Sequence, residues 1–558
     1  MRYLALATDY DGTLAHHGRV DADTVEALRR LRATGRKLLL VTGRQIEDLG
    51  QVFPEVSLFD RVVAENGAVV YHPESKEVRL LAEAPPSELV EELKRRRVSP
   101  LSTGHVVVAT EQPNDGVVLE VIRQLGLELH VIFNKGSVMV LPSSVNKATG
   151  LDAALQELGL SPHNVVGIGD AENDHAFLSE CECGVAVANA LDAVKQRADH
   201  VTSGRAGEGV KEVIEGLIEN DLRDLESKLT RHMIALGRDG DQTISLRPYG
   251  SAVVLAGPSG SGKSSLVRGI VERLKSQAYQ FCLIDPEGDY DNLQVAVSLG
   301  TPDGAPNLNE VMGILQDPAE SVVINLLGLR VFERPGFFGE LLPRVLQLRA
   351  GSGRPNWLIV DEAHHLLPSS WGKVDITLPE ALTSTLLITV HPQNLAADVL
   401  ERVDVVLAVG APKDVLEPFR VQTDITLDQG EAAIWSRRDS SVRRFRILPS
   451  RLERQRHVRK YAAGDLGDHA FLFRGPDGRL NLRAQNLGLF LQIADGVDDE
   501  TWLYHLRRGD YANWFRTVIK DPELEKTARR AEQSAGKSAE ESRRIIREAI
   551  EQRYTAPA

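Results

Sequence analysis

The chain has 558 residues, with 65 Lys and Arg against 79 Asp and Glu, and a formal net charge of −14. That length exceeds one hydrophobic core and calls for three to four domains, while 42% hydrophobic and 26% charged residues are ordinary for folded globular protein. The charge argues against a surface that binds nucleic acid throughout, no apolar run reaches membrane-spanning length, and three cysteines (Cys181, Cys183, Cys282) exclude a disulfide framework, so a cytoplasmic chain without a signal peptide is expected.

Tyr3 to Thr8 is a short apolar, β-prone run that ends in Asp9-Tyr10-Asp11-Gly12-Thr13-Leu14. At the carboxyl end of a strand, Asp9 could attack a phosphorus while Asp11 protonates the leaving oxygen and later activates water, with a metal between the acids and the phosphate. Asp and Gly also cluster in solvated turns, so this pattern alone leaves both readings open. Three further pieces fall at strand ends. Lys37 to Val41 is closed by Thr42-Gly43-Arg44, where a hydroxyl and backbone N–H groups can hold phosphate oxygens. Lys147 opens a helix candidate, Ala148 to Leu158, and can neutralise the nucleophile and the phosphate. Val165 to Ile168 leads into Gly169-Asp170-Ala171-Glu172-Asn173-Asp174, whose acids can hold Mg²⁺.

These motifs, together with Glu65-Asn66-Gly67 and Gly184-Val185-Ala186-Val187-Ala188-Asn189-Ala190, resemble the haloacid dehalogenase (HAD) phosphatase superfamily, in its Cof-type branch, over residues 1–215. The resemblance implies an α/β, Rossmann-like core in which Asp9 becomes an aspartyl-phosphate and Asp11 is the general acid and base. By the same resemblance Thr42, Gly43, Lys147 and Asn173 contact the phosphoryl group, and Asp9, Asp170 and the backbone carbonyl of Asp11 bind Mg²⁺, with Asp174 in support. The segment from about 85 to 142 is where the family carries an α/β cap; it holds a helix candidate (Ser87 to Arg96) and strand candidates (His105 to Thr110, Val138 to Leu141). Asn134-Lys135-Gly136-Ser137 within it reads as a hairpin turn or as a pocket-facing loop. The implied substrate is a small phosphoester of the sugar phosphate or phosphoglycolate class.

Leu222, Leu225, Leu229, Met233 and Leu236 recur at helical spacing, which predicts one amphipathic linker helix within 216–242, broken by Arg238-Asp239-Gly240-Asp241. Next come an apolar run (Ala252 to Ala256), the stretch Gly257-Pro258-Ser259-Gly260-Ser261-Gly262-Lys263-Ser264, and an amphipathic run (Leu266 to Leu274). This is the strand, glycine loop and helix of a P-loop: backbone N–H groups of the stretch Gly257 to Ser265, Pro258 having none, face a polyphosphate, Lys263 reaches the outer phosphates, and the Ser264 hydroxyl joins the Mg²⁺ shell. Phe281 to Ile284 ends in Asp285-Pro286-Glu287-Gly288. Trp357 to Val360 ends in Asp361-Glu362-Ala363-His364, a Walker B pattern in which Asp361 acts on the Mg²⁺ shell and Glu362 orients the attacking water. A helix N-cap is the plainer alternative for that acidic pair. His391-Pro392-Gln393 follows a further strand candidate as a possible phosphate sensor. The combination resembles the HerA and FtsK class of ATPases over Ile244 to Leu448, which implies ATP, Mg²⁺, a ring-shaped homo-oligomer and an arginine finger, for which Arg402 and Arg420 are candidates by position.

A basic stretch including Arg437, Arg438, Arg443, Arg444, Arg446, Arg451, Arg454, Arg456, Arg459 and Lys460 suits either a phosphate backbone or a strand's solvated face with a charged linker, and the second is preferred. From Ala470 to Lys520 an aromatic composition, with Trp502, Tyr504, His505, Tyr511, Trp514 and Phe515, predicts a small helical module followed by a charged helix from Glu523 to Arg553. The expected plan is a HAD domain over 1–215, the linker helix over 216–242, a P-loop ATPase domain over 243–450 and a helical accessory region over 451–558. The expected function is a Mg²⁺-dependent phosphatase joined to an ATP-binding and ATP-hydrolysing module that regulates it or couples to it. The alternatives are a nucleic-acid end-processing or translocating protein, with a 3′-phosphatase and a P-loop kinase or pump, and an ATP sensor without useful turnover.

Overall fold

The computed structural model describes residues 1–134, 136–290, 293–354, 356–368, 382–450, 461–462, 466–478, 480–519, 521–533 and 538–554. The short apolar runs become strands buried almost throughout, as a sheet covered by helices on both faces requires. In the first sheet the order is His200–Val201, Cys183–Ala186, Val165–Gly169, Ala5–Thr8, Lys37–Val41, Arg61–Ala64, Val69–His72 and Glu77–Leu80. The first six strands run parallel and the last two pair antiparallel. Thr8 lies opposite Ile168 and Leu40, so the turns after these three strands meet at one end of the sheet. That end is where the Asp9, Thr42 and Asp170 motifs fall.

Between this sheet's last strand and the helix Lys147–Leu158 stands a separate antiparallel sheet, ordered Leu101–Thr103, Val108–Glu111, Ser137–Pro142 and Leu129–Asn134. Helices Ser87–Arg95 and Asp115–Leu125 accompany it, and Leu89, Leu93, Val118, Val121 and Val140 form a core of its own. Lys135 of the predicted turn lies outside the described residues.

The linker is not one helix. The preceding helix Gly207–Asn220 stops where Asp221 and Leu222 both take left-handed backbone, at φ 58° and 56°, a conformation no α-helix continues through. After a short turn at Arg223–Leu225, Ile234–Asp239 is a strand paired antiparallel with Gln242–Leu246, and Gly240 supplies the left-handed turn between them. The leucine spacing served two cores: Leu222, Leu225 and Leu229 pack on the first sheet's core, while Leu236 is buried in the second sheet.

Among the described residues the second sheet has eleven strands, in the order Gln242–Leu246, Ile234–Asp239, Val442–Ile447, Glu431–Ser436, Val405–Ala408, Ala252–Ala256, Thr385–Thr389, Asn356–Val360, Gln280–Asp285, Val322–Asn325 and Val297–Leu299. The seven from Val405–Ala408 onward are parallel and carry the P-loop and Asp361 segments at their carboxyl ends. Arg443, Arg444 and Arg446 are exposed on the antiparallel strand Val442–Ile447, with Arg444 near Glu431 at 3.8 Å. Arg451, Arg454, Arg456, Arg459 and Lys460 lie outside the described residues.

By contacts the chain divides into two units, Met1–Lys263 with Arg273–Ile447, and Ser264–Glu272 with Leu448–Ala558. In the second unit helices Leu487–Gly496, Asp499–Arg507, Asp510–Trp514, Pro522–Gln533 and Ala539–Tyr554 surround an aromatic core in which Trp502 stacks on Tyr511 at 4.4 Å. A two-stranded ribbon, Phe471–Phe473 with Leu482–Ala484, adds strand to a region expected to be helical, because Phe471 and Phe473 alternate into that core. Cys181, Cys183 and Cys282 are buried and free, and no described helix is long and apolar enough to cross a membrane.

Candidate active site

Asp9 directly follows the strand Ala5–Thr8, and its N–H donates to the Ile168 carbonyl at 2.9 Å, carrying the ladder one residue further. Lys147 is the first residue of its helix, which a capping box starts: Asn146 Oδ1 accepts from the N–H groups of Ala148 and Thr149 at 2.8 and 3.1 Å, and Thr149 Oγ1 accepts from Asn146 N–H at 2.9 Å. From there Lys147 Nζ donates to Asp9 Oδ1 and to Asp174 Oδ1, each at 2.6 Å. The lysine side chain is 1% exposed and that of Asp174 0%, so neither charge would persist there without the other. Asp174 Oδ2 accepts from the N–H groups of Asp170 and Ala171 at 2.8 and 2.9 Å, which engages both of its oxygens. Thr13 Oγ1 donates to Asp170 Oδ1 at 3.2 Å.

Oxygens of Asp9, Asp170 and Asp174 lie within 4.8 Å of one another, and all three residues are buried. Three carboxylates against one lysine leave surplus negative charge where water scarcely reaches, and hard oxygen donors at this spacing suit a small divalent cation such as Mg²⁺. The same crowding shifts Asp9: burial first and then repulsion from Asp174 push its carboxyl up to about 7, against the pull of Lys147.

Thr42 follows the strand Lys37–Val41, and its Oγ1 accepts from Arg44 N–H at 3.1 Å. Gly43 lies so near Asn66 that a Cβ would stand 3.3 Å from its Oδ1, the atom that also accepts from Asn173 Nδ2 at 2.8 Å. Asp9, Lys147, Asp170 and Asp174 thus form one cluster, while Gly43 and Asn173 meet through Asn66. Asp11 is gripped by Arg44, whose Nε and Nη2 donate to its two carboxylate oxygens at 2.6 and 2.8 Å, and Arg44 also pairs with Asp48. Sequence reasoning passed over Arg44 and Glu65; both stood inside quoted motifs, but their partners are fixed only when distant strands come together.

In the second sheet Gly260 and Gly262 of the P-loop take φ 74° and 106°, and at Gly257 a Cβ would sit 2.1 Å from the Val409 carbonyl, so that position admits no side chain. Lys263 Nζ lies across the loop, donating to the carbonyls of Gly257 and Pro258 at 3.0 and 3.1 Å, and Ser264 and Ser265 follow it in the helix Lys263–Ser276. Pro258, Ser259 and Ser261 complete the loop. Asp361 and Glu362 follow the strand Asn356–Val360, one strand removed from Ala252–Ala256. Glu362 stands at the N-cap position of the short turn Ala363–His365 with left-handed backbone, at φ 41°; its side chain makes no cap bond, its Oε2 lies 3.3 Å from His364 Nδ1, and its N–H donates to Asp361 Oδ1 at 3.0 Å. Burial pushes Asp361 up to about 7, with donation from Glu362 N–H opposing and neighbouring carboxylates adding. Burial also raises Glu362 and lowers Lys263, and it takes His364 down to about 4.

Asp285 is committed to its own loop, its carboxylate accepting from the N–H groups of Glu287, Gly288, Asp289 and Tyr290 at 2.7 to 3.3 Å. Beside the P-loop a cavity of about 520 Å³ runs between Gly257, His391, Gln393 and Glu417, within the size range of small-molecule sites. Arg402 donates to the Asp398 carbonyl in its own helix, and Arg420 ends the turn Glu417–Phe419 in left-handed backbone.

Residues 6–113 and 120–214 match the haloacid dehalogenase-like hydrolase family, and residues 247–407 match an AAA domain. The phosphoglycolate phosphatase of Methanothermobacter thermautotrophicus is 31% identical over 219 residues, an alignment that spans 38% of this chain and 96% of that protein. The chain belongs to the haloacid dehalogenase-like hydrolases. Phosphoglycolate phosphatase 1 of Saccharolobus solfataricus is 29% identical to this HAD protein over 228 residues, covering 38% of this chain and 95% of the relative. A solved haloacid dehalogenase-like hydrolase from Bacteroides thetaiotaomicron aligns with 38% of this chain and 99% of its own at 22% identity, with a TM-score of 0.35. The HAD match contains the Asp9, Lys147, Asp170 and Asp174 cluster, and the AAA match contains the P-loop with Asp361 and Glu362.

Proposed function

We propose that the HAD portion is a Mg²⁺-dependent phosphatase for a small phosphoester of the phosphoglycolate or sugar phosphate class, and that the AAA portion binds and hydrolyses ATP and regulates it. The observation that carries this reading is the buried cluster in which Lys147 bridges Asp9 and Asp174, beside Asp170, at the ends of neighbouring strands. Phosphoglycolate phosphatases among the relatives support the substrate class.

In this mechanism an Asp9 oxygen attacks phosphorus, and the bond from phosphorus to the ester oxygen breaks as the new bond forms. Asp11, released from Arg44 and carrying a proton, gives that proton to the departing oxygen, then takes one from the water that attacks the aspartyl-phosphate, and inorganic phosphate leaves with Asp9 restored. Lys147 offsets the charge gathered on Asp9 and the phosphoryl oxygens, the Thr42 hydroxyl and Gly43 N–H hold those oxygens with Asn173 at the edge, and Arg44 holds Asp11 in place before substrate enters. Asp9, Asp170 and the Asp11 carbonyl would hold Mg²⁺, which supplies positive charge to the phosphoryl oxygens. Asp174 acts through Lys147 and the loop backbone, because both its oxygens are engaged there.

For the AAA portion, the reading is a HerA- or FtsK-like ATPase that assembles as a homo-oligomeric ring. Gly257 to Gly262, Lys263, Ser264 and Ser265 take the phosphates, Asp361 acts on the accompanying Mg²⁺, and Glu362 orients water.

The test is phosphate release from phosphoglycolate, sugar phosphates and 3′-phosphorylated oligonucleotides, with Mg²⁺ or EDTA and with or without ATP. Small phosphoesters are cleaved by the wild type with Mg²⁺, Asp9→Asn and EDTA abolish the release, and Lys263→Ala changes only the response to ATP. Cleavage confined to oligonucleotide ends, or release that survives Asp9→Asn, would replace this reading with that of an end-processing protein or another site.

A further inference from the structure

Glu65 is fully buried, yet it has no part in the phosphoryl chemistry described above. It opens three consecutive left-handed residues, Glu65, Asn66 and Gly67, at φ 50°, 54° and 100°. The first two carry side chains, which disfavour such backbone, most of all at Glu65, so the surroundings must hold it. They do so from both sides. Toward the HAD core, Glu65 N–H donates to the Arg44 carbonyl and Asn66 N–H to that of Thr42, both at 3.0 Å. Gly67 presses on the start of the Lys147 helix, where a Cβ would stand 1.8 Å from the Asn146 carbonyl.

Toward the antiparallel sheet that covers this end, the Glu65 carboxylate accepts from three successive backbone N–H groups, those of His105, Val106 and Val107, at 2.9, 2.8 and 2.8 Å. Gly104 permits this approach: a Cβ there would come within 2.4 Å of Glu65 Oε1. Asn66 adds a contact to the same sheet, Nδ2 to Met139 Sδ at 2.8 Å.

We infer that Glu65 is a positioning residue that locks the cap in register over the phosphoryl site, and that specificity among phosphoesters depends on this lock. One carboxylate with three donors fixes orientation more tightly than a single bond, and the turn bearing it is the one that holds the Thr42 and Arg44 backbone. A shift of this sheet by one ångström would move the side chains it carries relative to Asp9, and misplacement of that size at a reacting centre can alter rates about a hundredfold. The specificity part of this inference rests on the phosphatase reading; the lock itself does not.

The experiment compares wild type with Glu65→Gln and Gly104→Ala, the second disturbing the lock without touching the acid. Amide hydrogen exchange is followed at 105–107, and kcat and KM are measured for phosphoglycolate and for p-nitrophenyl phosphate. Both variants are expected to lose protection at these three amides, and the ratio of kcat/KM for phosphoglycolate to that for p-nitrophenyl phosphate is expected to fall about tenfold or more, mainly through KM. The double variant should be no worse than the poorer single one, because both remove one interaction. Unchanged protection at 105–107 in Glu65→Gln overturns the lock, and lost protection with an unchanged selectivity ratio overturns its role in specificity. A wild type that cleaves neither of these nor the sugar phosphates defeats the phosphatase reading and with it the specificity claim, while the exchange result still decides the lock.

Discussion

At the scale of single residues, both sites place carboxylates where burial opposes their charge. Asp9 and Asp361 are each pushed up to about 7, and each has a lysine nearby: Lys147 bonds Asp9, and Lys263 feels the charge of Asp361. Glu362 differs because its backbone is also strained, and the strain aims a side chain that no cap bond engages. Glu362→Gln keeps the size and removes the carboxylate to which the proposed ATPase reading gives the orientation of water. ATP turnover should fall about a hundredfold or more, as loss of a general base does, while a fluorescent ATP analogue still binds. Retained turnover would take the water-orienting role away from this residue.

The segment 216–242 decides its structure at the scale of elements. Its leucines repeat as a helix would, but consecutive left-handed residues end the preceding helix and the later residues pair as a hairpin on the edge of the second sheet. Gly237 separates the two descriptions by sign. In a helix, Gly237→Ala would stabilise the protein by about 1 kcal/mol. In the strand a Cβ would meet the Phe445 ring at 2.2 Å and the Arg446 carbonyl at 2.3 Å, so the substitution should cost about 2 kcal/mol or more. Urea unfolding of the variant measures which sign holds, and a gain in stability would restore the helix.

At the scale of the molecule, the HAD and AAA portions share a buried polar contact around Glu182. His163 Nδ1 is 2.6 Å from its Oε2, the Tyr279 hydroxyl donates to the same oxygen at 3.1 Å, and Arg2 pairs with the other. Tyr279 also stacks on His163 with ring centres 3.8 Å apart, and Arg2 lies over the Tyr249 ring at 3.8 Å. Burial alone would raise the Glu182 carboxyl, but the His163 hydrogen bond and the charges of His163 and Arg2 outweigh it and hold it below the usual range. A carboxyl lowered on folding contributes stability that is complete above its unfolded value, about 4.3, and is lost as pH falls through the lowered one. Glu182→Gln should therefore cost about 3 kcal/mol at pH 7 and flatten the acid side of the stability profile below about pH 4. Denaturant unfolding across pH is the check. A variant as stable as wild type at pH 7 would mean that the contact does not hold the two portions together.

The two motif sets and the α/β class were legible in the amino-acid sequence. A nucleophile, a phosphate loop or an acidic pair at the end of a parallel strand is a local pattern, because the sheet needs a short apolar run and the chemistry needs polar residues where the run stops. Asp9-Tyr10-Asp11, Thr42-Gly43, the P-loop and Asp361-Glu362 could all be read this way. Only the tertiary structure decided how the charges are shared, because partners such as Lys147 and Asp174, Arg44 and Asp11, or Glu65 and the amides of His105 to Val107 are brought together from separate strands. It also decided the linker. A spacing of three and four residues records which side chains are buried, not whether one surface or two bury them, and here the burial was divided between two cores.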